Sequence, residues 1–125
     1  MGFQCPHCNN RTSLQIINRI ELPPDARSDE ITLQIVKCQR CQFEAVAIYE
    51  ESHRGALDSE VFDHYGYTIG QDELKALKAL IRRCPEPKNR RCGCESHSAL
   101  NRKDASGRWI KPGFSVDSTT FAMVL

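Results

Sequence analysis

Seven cysteines in 125 residues are the side chains of this sequence best placed to do chemistry. Cys5-Pro6-His7-Cys8 is answered by Cys38-Gln39-Arg40-Cys41, with 29 residues between Cys8 and Cys38. A Cys-x-x-Cys turn aims two sulfurs at one point, and a second such turn closes a tetrahedral shell around zinc. A further group lies near the other end: Cys84, then Cys92-Gly93-Cys94, then His97. Cys-x-Cys-x-x-His places three potential ligands within six residues, and Gly93 lets the chain turn tightly between the two sulfurs. The cysteines divide as four plus three, and a histidine completes the second tetrahedron. Two zincs per chain are therefore expected. One is on Cys5, Cys8, Cys38 and Cys41, the other on Cys84, Cys92, Cys94 and His97. His53 and His64 are the alternatives for the fourth ligand of the second, further off in sequence.

Other chemistry for these residues has a stated cost. Cys-Pro-His-Cys is also the active-site tetrapeptide of thioredoxin-fold thiol oxidases, where it carries a low-pKa thiolate. That fold needs a strand before the motif and a helix opening at it. Here four residues precede Cys5, and the residues after Cys8 are β-like. His7 then reads as a surface residue of the turn. A catalytic zinc keeps one position open for water beside an acid or base, and four thiolates leave none. Glu95 sits between the later ligands, but the deaminase order, His-x-Glu upstream of Pro-Cys-x-x-Cys, is not present. No catalytic residue is assigned.

The elements that must position these ligands follow from periodicity. Thr12 to Ile20 reads as a strand. Leu22-Pro23-Pro24 through Asp29 reads as a loop, because two prolines cannot sit inside a sheet. Ile31 to Lys37 alternates, with Ile31, Leu33 and Ile35 on one face and Thr32 and Gln34 on the other. Phe43 to Tyr49 is a third strand. The hairpin brings both Cys-x-x-Cys turns to one end. Leu57 to Tyr65 is expected to be a short helix, and Gly66 to Gly70 a turn or short extended piece. A clearer helix spans about 71–83, with Leu74, Leu77, Leu80 and Ile81 in one stripe. Asp72 and Glu73 suit its positive end, Arg82 and Arg83 its negative end, and Pro85 stops it. Ser98 to Arg102 suits one helical turn. Arg108 to Lys111 and Phe114 to Leu125 read as strands.

Charge is unevenly spread. Residues 1–70 carry 6 Lys/Arg against 10 Asp/Glu, and residues 71–125 carry 11 against 6. The basic excess peaks at Arg82, Arg83, Lys88, Arg90 and Arg91, a run able to face phosphates, with Trp109 able to stack on a base. The plainer readings are a solvated loop, a Trp in a small core, and two halves that complement each other. No apolar run is long enough to cross a membrane. Nothing like a secretory leader precedes Cys5, so a reducing compartment is expected, cytoplasmic or nuclear, where cysteine clusters mean metal more often than disulfides.

Cys5 to Tyr49 resembles the zinc-ribbon superfamily. Arg27-Ser28-Asp29-Glu30, followed by a strand leading to Cys38, is similar to the hairpin tip of the transcript-cleavage elongation factors. In that family an Asp-Glu pair reaches the polymerase active centre and helps hold magnesium. The resemblance implies that role for Asp29 and Glu30, with Arg27 assisting. Ile31 stands where that family has proline, and Gln42 where it has glycine. The expected architecture is small, α+β and metal-stabilised. It comprises a zinc ribbon with a three-stranded antiparallel sheet over residues 1–50, a linker over 51–70, and a helix with a Cys-rich β module over 71–125. The expected work is recognition: docking on a nucleic acid or protein partner, with structural metals, no turnover and no membrane. The alternatives are a polymerase-associated cleavage factor using Asp29 and Glu30, a protein-interaction adaptor, and a thiol oxidoreductase.

Overall fold

The computed structural model describes residues 2–24, 30–52, 61–109 and 119–124, with 52, 61, 62 and 119 described by backbone only. In chain order the elements are β1 (Leu14–Leu22), β2 (Glu30–Cys38), β3 (Glu44–Ser52), β4 (Val61–Thr68), α1 (Gln71–Arg83), α2 (Glu95–Leu100) and β5 (Thr119–Ala122). The strands form one antiparallel sheet in the order β1-β2-β3-β4-β5. The molecule is a small α+β fold with one main helix and one potential metal cluster towards each end of the chain.

Alternation along β2 and β3 gives the sheet two apolar faces. Ile31, Leu33 and Ile35 of β2 join Val46 and Ile48 of β3 beneath Leu74, Leu77 and Ile81 of α1. Val36, Cys38, Ala45 and Ala47 point the other way, into a second cluster with Cys5 and Leu14. Strand β1 serves both faces through an irregularity. Ile16 pairs with Val36 but Asn18 pairs with Ile35, so Ile17 is an extra residue. A one-residue shift turns every later side chain over. Leu14 therefore lies with Cys5, whereas Ile20 and Leu22 lie under the helices.

The short helix expected over 57–65 is not formed by its described part: from Val61 the chain is strand. Val-Phe-Asp-His-Tyr-Gly-Tyr-Thr is rich in β-branched and aromatic residues, and pairing with β3 from Val46↔Tyr67 to Ser52↔Val61 outweighs a weak helical pattern. Gly66 is needed here. A Cβ on it would stand 2.2 Å from the Phe121 ring, so the missing side chain lets β5 close over β4. Of the expected C-terminal strand Phe114 to Leu125, residues 119–122 form β5, and they extend the common sheet rather than a separate module. Residues 110–118 lie outside the described residues. The three strands expected after the first Cys-x-x-Cys turn are present, as the first part of this larger sheet.

Helix α1 has Asp72 and Glu73 in its first turn and Arg82 and Arg83 in its last, complementing the helix dipole. An ion pair between Lys78 and Glu44 ties it to β3. The helix ends where the Cys84 amide bonds the Ile81 carbonyl, just before Pro85. Helix α2 is a single short piece, and Trp109 Nε1 donates to the Leu100 carbonyl at 2.9 Å, placing the indole against the helix-side core.

Candidate metal centres

The N-terminal site forms where two tight turns meet. The first leaves the Phe3–Leu14 bridge, and the Asn9 amide bonds the Cys5 carbonyl at 2.9 Å to close it. The second continues from the end of β2, with the Cys38 amide bonded to the Phe43 carbonyl at 2.7 Å. Each turn exits through a left-handed residue, Asn9 at φ 63° and Gln42 at φ 67°. Cys5 Sγ lies 3.6 Å from Cys41 Sγ, and Cys8 Sγ lies 3.7 Å from Cys38 Sγ. Zn–S bonds of about 2.3 Å in a tetrahedron put sulfurs about 3.8 Å apart, far beyond a disulfide bond of about 2.0 Å. All seven cysteines are free thiols.

The C-terminal site lies against the opposite, helix-covered face. Cys84 caps the end of α1, and Cys92 and Cys94 follow a turn closed by the Cys92 amide on the Asn89 carbonyl at 3.0 Å. Cys94 is also the N-cap of α2, its sulfur accepting from the His97 amide at 3.4 Å. One turn of α2 then carries His97 back to the sulfurs. His97 Nδ1 lies 3.2 Å from Cys84 Sγ and 3.4 Å from Cys94 Sγ, and Cys84 Sγ lies 3.8 Å from Cys92 Sγ. The other ring nitrogen, Nε2, donates to the Glu21 carbonyl at 2.9 Å. That bond puts the proton on Nε2 and leaves the Nδ1 lone pair facing the sulfurs, the usual orienting device for a metal-bound histidine.

In both groups the four ligand atoms lie within 4.8 Å of one another. Each group could hold a zinc ion, two per chain. The donor sets, four cysteines and three cysteines with one histidine, are those of closed structural sites, and they fit the metal without rearrangement.

The thiols are unequal. Burial pushes Cys5 up, Cys41 up to about 12 and Cys84 up to about 11. Burial also works to raise Cys38, but hydrogen bonds from Ser13 Oγ and from the Cys41 and Arg40 amides bring it down to about 6. Cys94 is lowered to about 6, first by its bond from the His97 amide. Each site thus holds one sulfur that is a thiolate at neutral pH and at least one that must lose a proton to the metal.

No protein-family model, curated protein or solved structure matches this chain.

The remaining sequence candidates take different places. His7 is exposed and stacks on Phe43 at 6.1 Å, outside the sulfur group. His64 is on β4, bonded to Gln34 at 2.7 Å. His53, Arg27 and Asp29 lie outside the described residues. Glu30 opens β2 and lies 3.8 Å from Arg90. Arg82, Arg83, Lys88 and Arg91 are exposed around the C-terminal site, and among the described residues none has an ion-pair partner. Arg90 is engaged instead. Its Nη1 donates to the carbonyls of Leu22 at 2.8 Å and Ile31 at 3.2 Å, and its Nη2 lies 3.2 Å from Glu21. It clamps the loop end of the β1–β2 hairpin, where Leu22 pairs with Ile31, to the ligand loop.

Three contributors escape a reading of motifs. Ser13 is buried with its hydroxyl 3.0 Å from Cys38 Sγ. Glu21 supplies its carbonyl to His97, and its amide donates to the Pro87 carbonyl at 2.7 Å. Arg90 acts as a clamp. A serine, a backbone carbonyl and one arginine among several carry no distinguishing spacing, so only the fold reveals them.

Proposed function

We propose that this protein is a zinc-stabilised recognition module that docks on nucleic acid, its metals structural. The observation that carries this reading is closure: each site surrounds its centre with four protein ligands and leaves no position for water or substrate. Zinc so held stiffens loops, which lowers the ordering cost of binding. The end of α1 and the loop stiffened at the C-terminal site present Arg82, Arg83, Lys88 and Arg91 to solvent, and among the described residues none of the four has an ion-pair partner. Four free cations beside a rigid turn suit a phosphate backbone. The N-terminal half, with paired Cys-x-x-Cys turns at one end of an antiparallel hairpin, follows the zinc-ribbon pattern, a scaffold suited to such docking.

The test is fluorescence anisotropy of labelled single-stranded oligonucleotides with the zinc-loaded chain. Binding should weaken with salt with a log–log slope of about −3, for four phosphate contacts on a single strand. Arg82→Glu with Arg83→Glu and Lys88→Glu should abolish it while zinc content stays at two per chain. Binding that ignores both salt and charge reversal would refute the docking surface. A retained fold in excess chelator would refute the structural role of the metals.

A further inference from the structure

The sheet face turned away from α1 and α2 is covered at one end by the N-terminal site and Phe121. Beyond Phe3 it opens into a cavity of about 440 Å³. That is the size range of small-molecule sites, roughly 300–1,000 Å³. Its floor is polar and largely buried: Thr32 and Gln34 of β2 are only 7% and 6% exposed. Gln34 Oε1 accepts from His64 Nε2 at 2.7 Å, and among the described residues the Gln34 amide nitrogen has no partner. The Gln34 side chain as a whole is more than nine-tenths buried and lines the cavity, so its unmatched amide nitrogen is a recognition point a ligand entering the cavity can meet.

One wall is aromatic. The His64 ring stands edge-on to Phe3 at 5.2 Å and to Tyr49 at 5.3 Å, with interplanar angles of 89° and 87°. Phe3 and Tyr49, each at right angles to the His64 ring, make an aromatic wall suited to a flat ligand. His64 itself is neutral at pH 7, since burial lowers its pKa. The other wall carries charge. Arg90 and Glu21 satisfy each other at 3.2 Å, so together they contribute none. Arg19 of β1 also lines the cavity, is exposed, and has no ion-pair partner among the described residues. Among the described residues the cavity lining thus carries one more positive charge than negative.

We propose that this cavity binds a small planar anion. The ligand would be an aromatic or heteroaromatic ring with a carboxylate or phosphate. The ring rests against Phe3 and Tyr49, an acceptor atom meets the Gln34 amide, and the acid meets Arg19. The site uses none of Arg82, Arg83, Lys88 or Arg91, so it stands or falls apart from nucleic-acid docking.

The experiment is two-dimensional NMR titration of the zinc-loaded full chain with indole-3-carboxylate and with uridine monophosphate, which separate the carboxylate from the phosphate source. Indole and inorganic phosphate supply ring and anion separately. At least one ring acid should shift the Gln34 side-chain amide and His64 resonances, and each half-ligand should bind at least about tenfold more weakly. Arg19→Ala and Gln34→Met should each weaken binding about tenfold, with zinc content and the remaining amide spectrum unchanged. Arg19 is exposed, so its removal leaves the fold intact even if Gln34→Met does not. The proposal is overturned if neither ring acid shifts Gln34 at about 5 mM, beyond the millimolar range of weak sites. It is equally overturned if Arg19→Ala binds unchanged or if the shifts are confined to residues 82–91.

Discussion

At the scale of single residues, the metal sites depend on groups that are not ligands. Ser13 donates to Cys38, and with two backbone amides it holds that sulfur near 6 against the effect of burial. Ser13→Ala should raise the Cys38 pKa and weaken zinc at the N-terminal site roughly 10- to 100-fold, the usual effect of losing an orienting partner. A competitive chelator titration would measure it. Gln42 occupies left-handed backbone at φ 67°, where a Cβ is unfavourable by roughly 1–2 kcal/mol. Gln42→Gly should recover up to about 1 kcal/mol, net of glycine's greater entropy in the unfolded chain, read as a higher midpoint in urea. Protons set the pH response. Cys41 and Cys84, pushed up to about 12 and about 11, keep their protons at neutral pH until metal displaces them. Zinc affinity should therefore rise from pH 6 to pH 8, with proton release measurable by calorimetry in buffers of different ionisation enthalpy. His64 adds a separate dependence. Its folded pKa lies below the unfolded 6.5 because burial disfavours the cation. Above that pH the ring is neutral in both states and contributes no slope. As pH falls through 6.5 the unfolded chain gains a proton the folded chain refuses, and stability declines. His64→Gln should flatten that part of the thermal-midpoint profile.

At the scale of elements, the sheet is held by what lies on each face. Ile81 is 1% exposed between α1 and the sheet, and Ile81→Ala should cost about 2–5 kcal/mol by denaturant unfolding. Gly66→Ala would drive a methyl into Phe121, so it should loosen β5 from β4 while the zinc sites stay loaded. Amide hydrogen exchange at residues 120–123 would report that loosening. The three hairpin strands were legible because alternation at Ile31, Leu33 and Ile35 is unambiguous and Cys38 must follow directly. Helix α1 was legible because its stripe, its end charges and Pro85 agree. Strand β4 was not. Eight residues with an isolated glycine match neither period well, and its state is decided by β3 on one side and β5 on the other. The β1 bulge was equally invisible, since Leu14, Ile16 and Ile20 read as one face of one strand.

At the scale of the whole molecule, the uneven charge is partly spent inside the fold. Arg90 meets Glu21 and Glu30, and Lys78 meets Glu44, so C-terminal cations satisfy N-terminal carboxylates. The plain reading of self-complementarity accounts for these groups, while among the described residues Arg82, Arg83, Lys88 and Arg91 stay outside any ion pair. The two metal sites are also coupled to one hairpin. The first sits at its open end, where Leu14 pairs with Cys38, while the second grips its loop end through His97 on Glu21 and Arg90 on Leu22 and Ile31. Removing both metals should release this grip and unfold the domain, since zinc binding of about 10–16 kcal/mol in such sites appears as folding energy. Circular dichroism during chelation, with native mass spectrometry counting zincs, would follow it.

The sequence alone determined the ligands, because coordination needs particular atoms at particular spacings and cysteine offers few other uses in such numbers. It likewise determined the strands and helix whose periodicity is strong. Tertiary structure decided which residues hold those ligands still, which cations enter ion pairs, and where a cavity with a polar floor opens on the far face of the sheet. Those outcomes depend on pairings between residues distant in the chain, such as Arg90 with Leu22 or Gly66 with Phe121, and a local pattern carries no record of them.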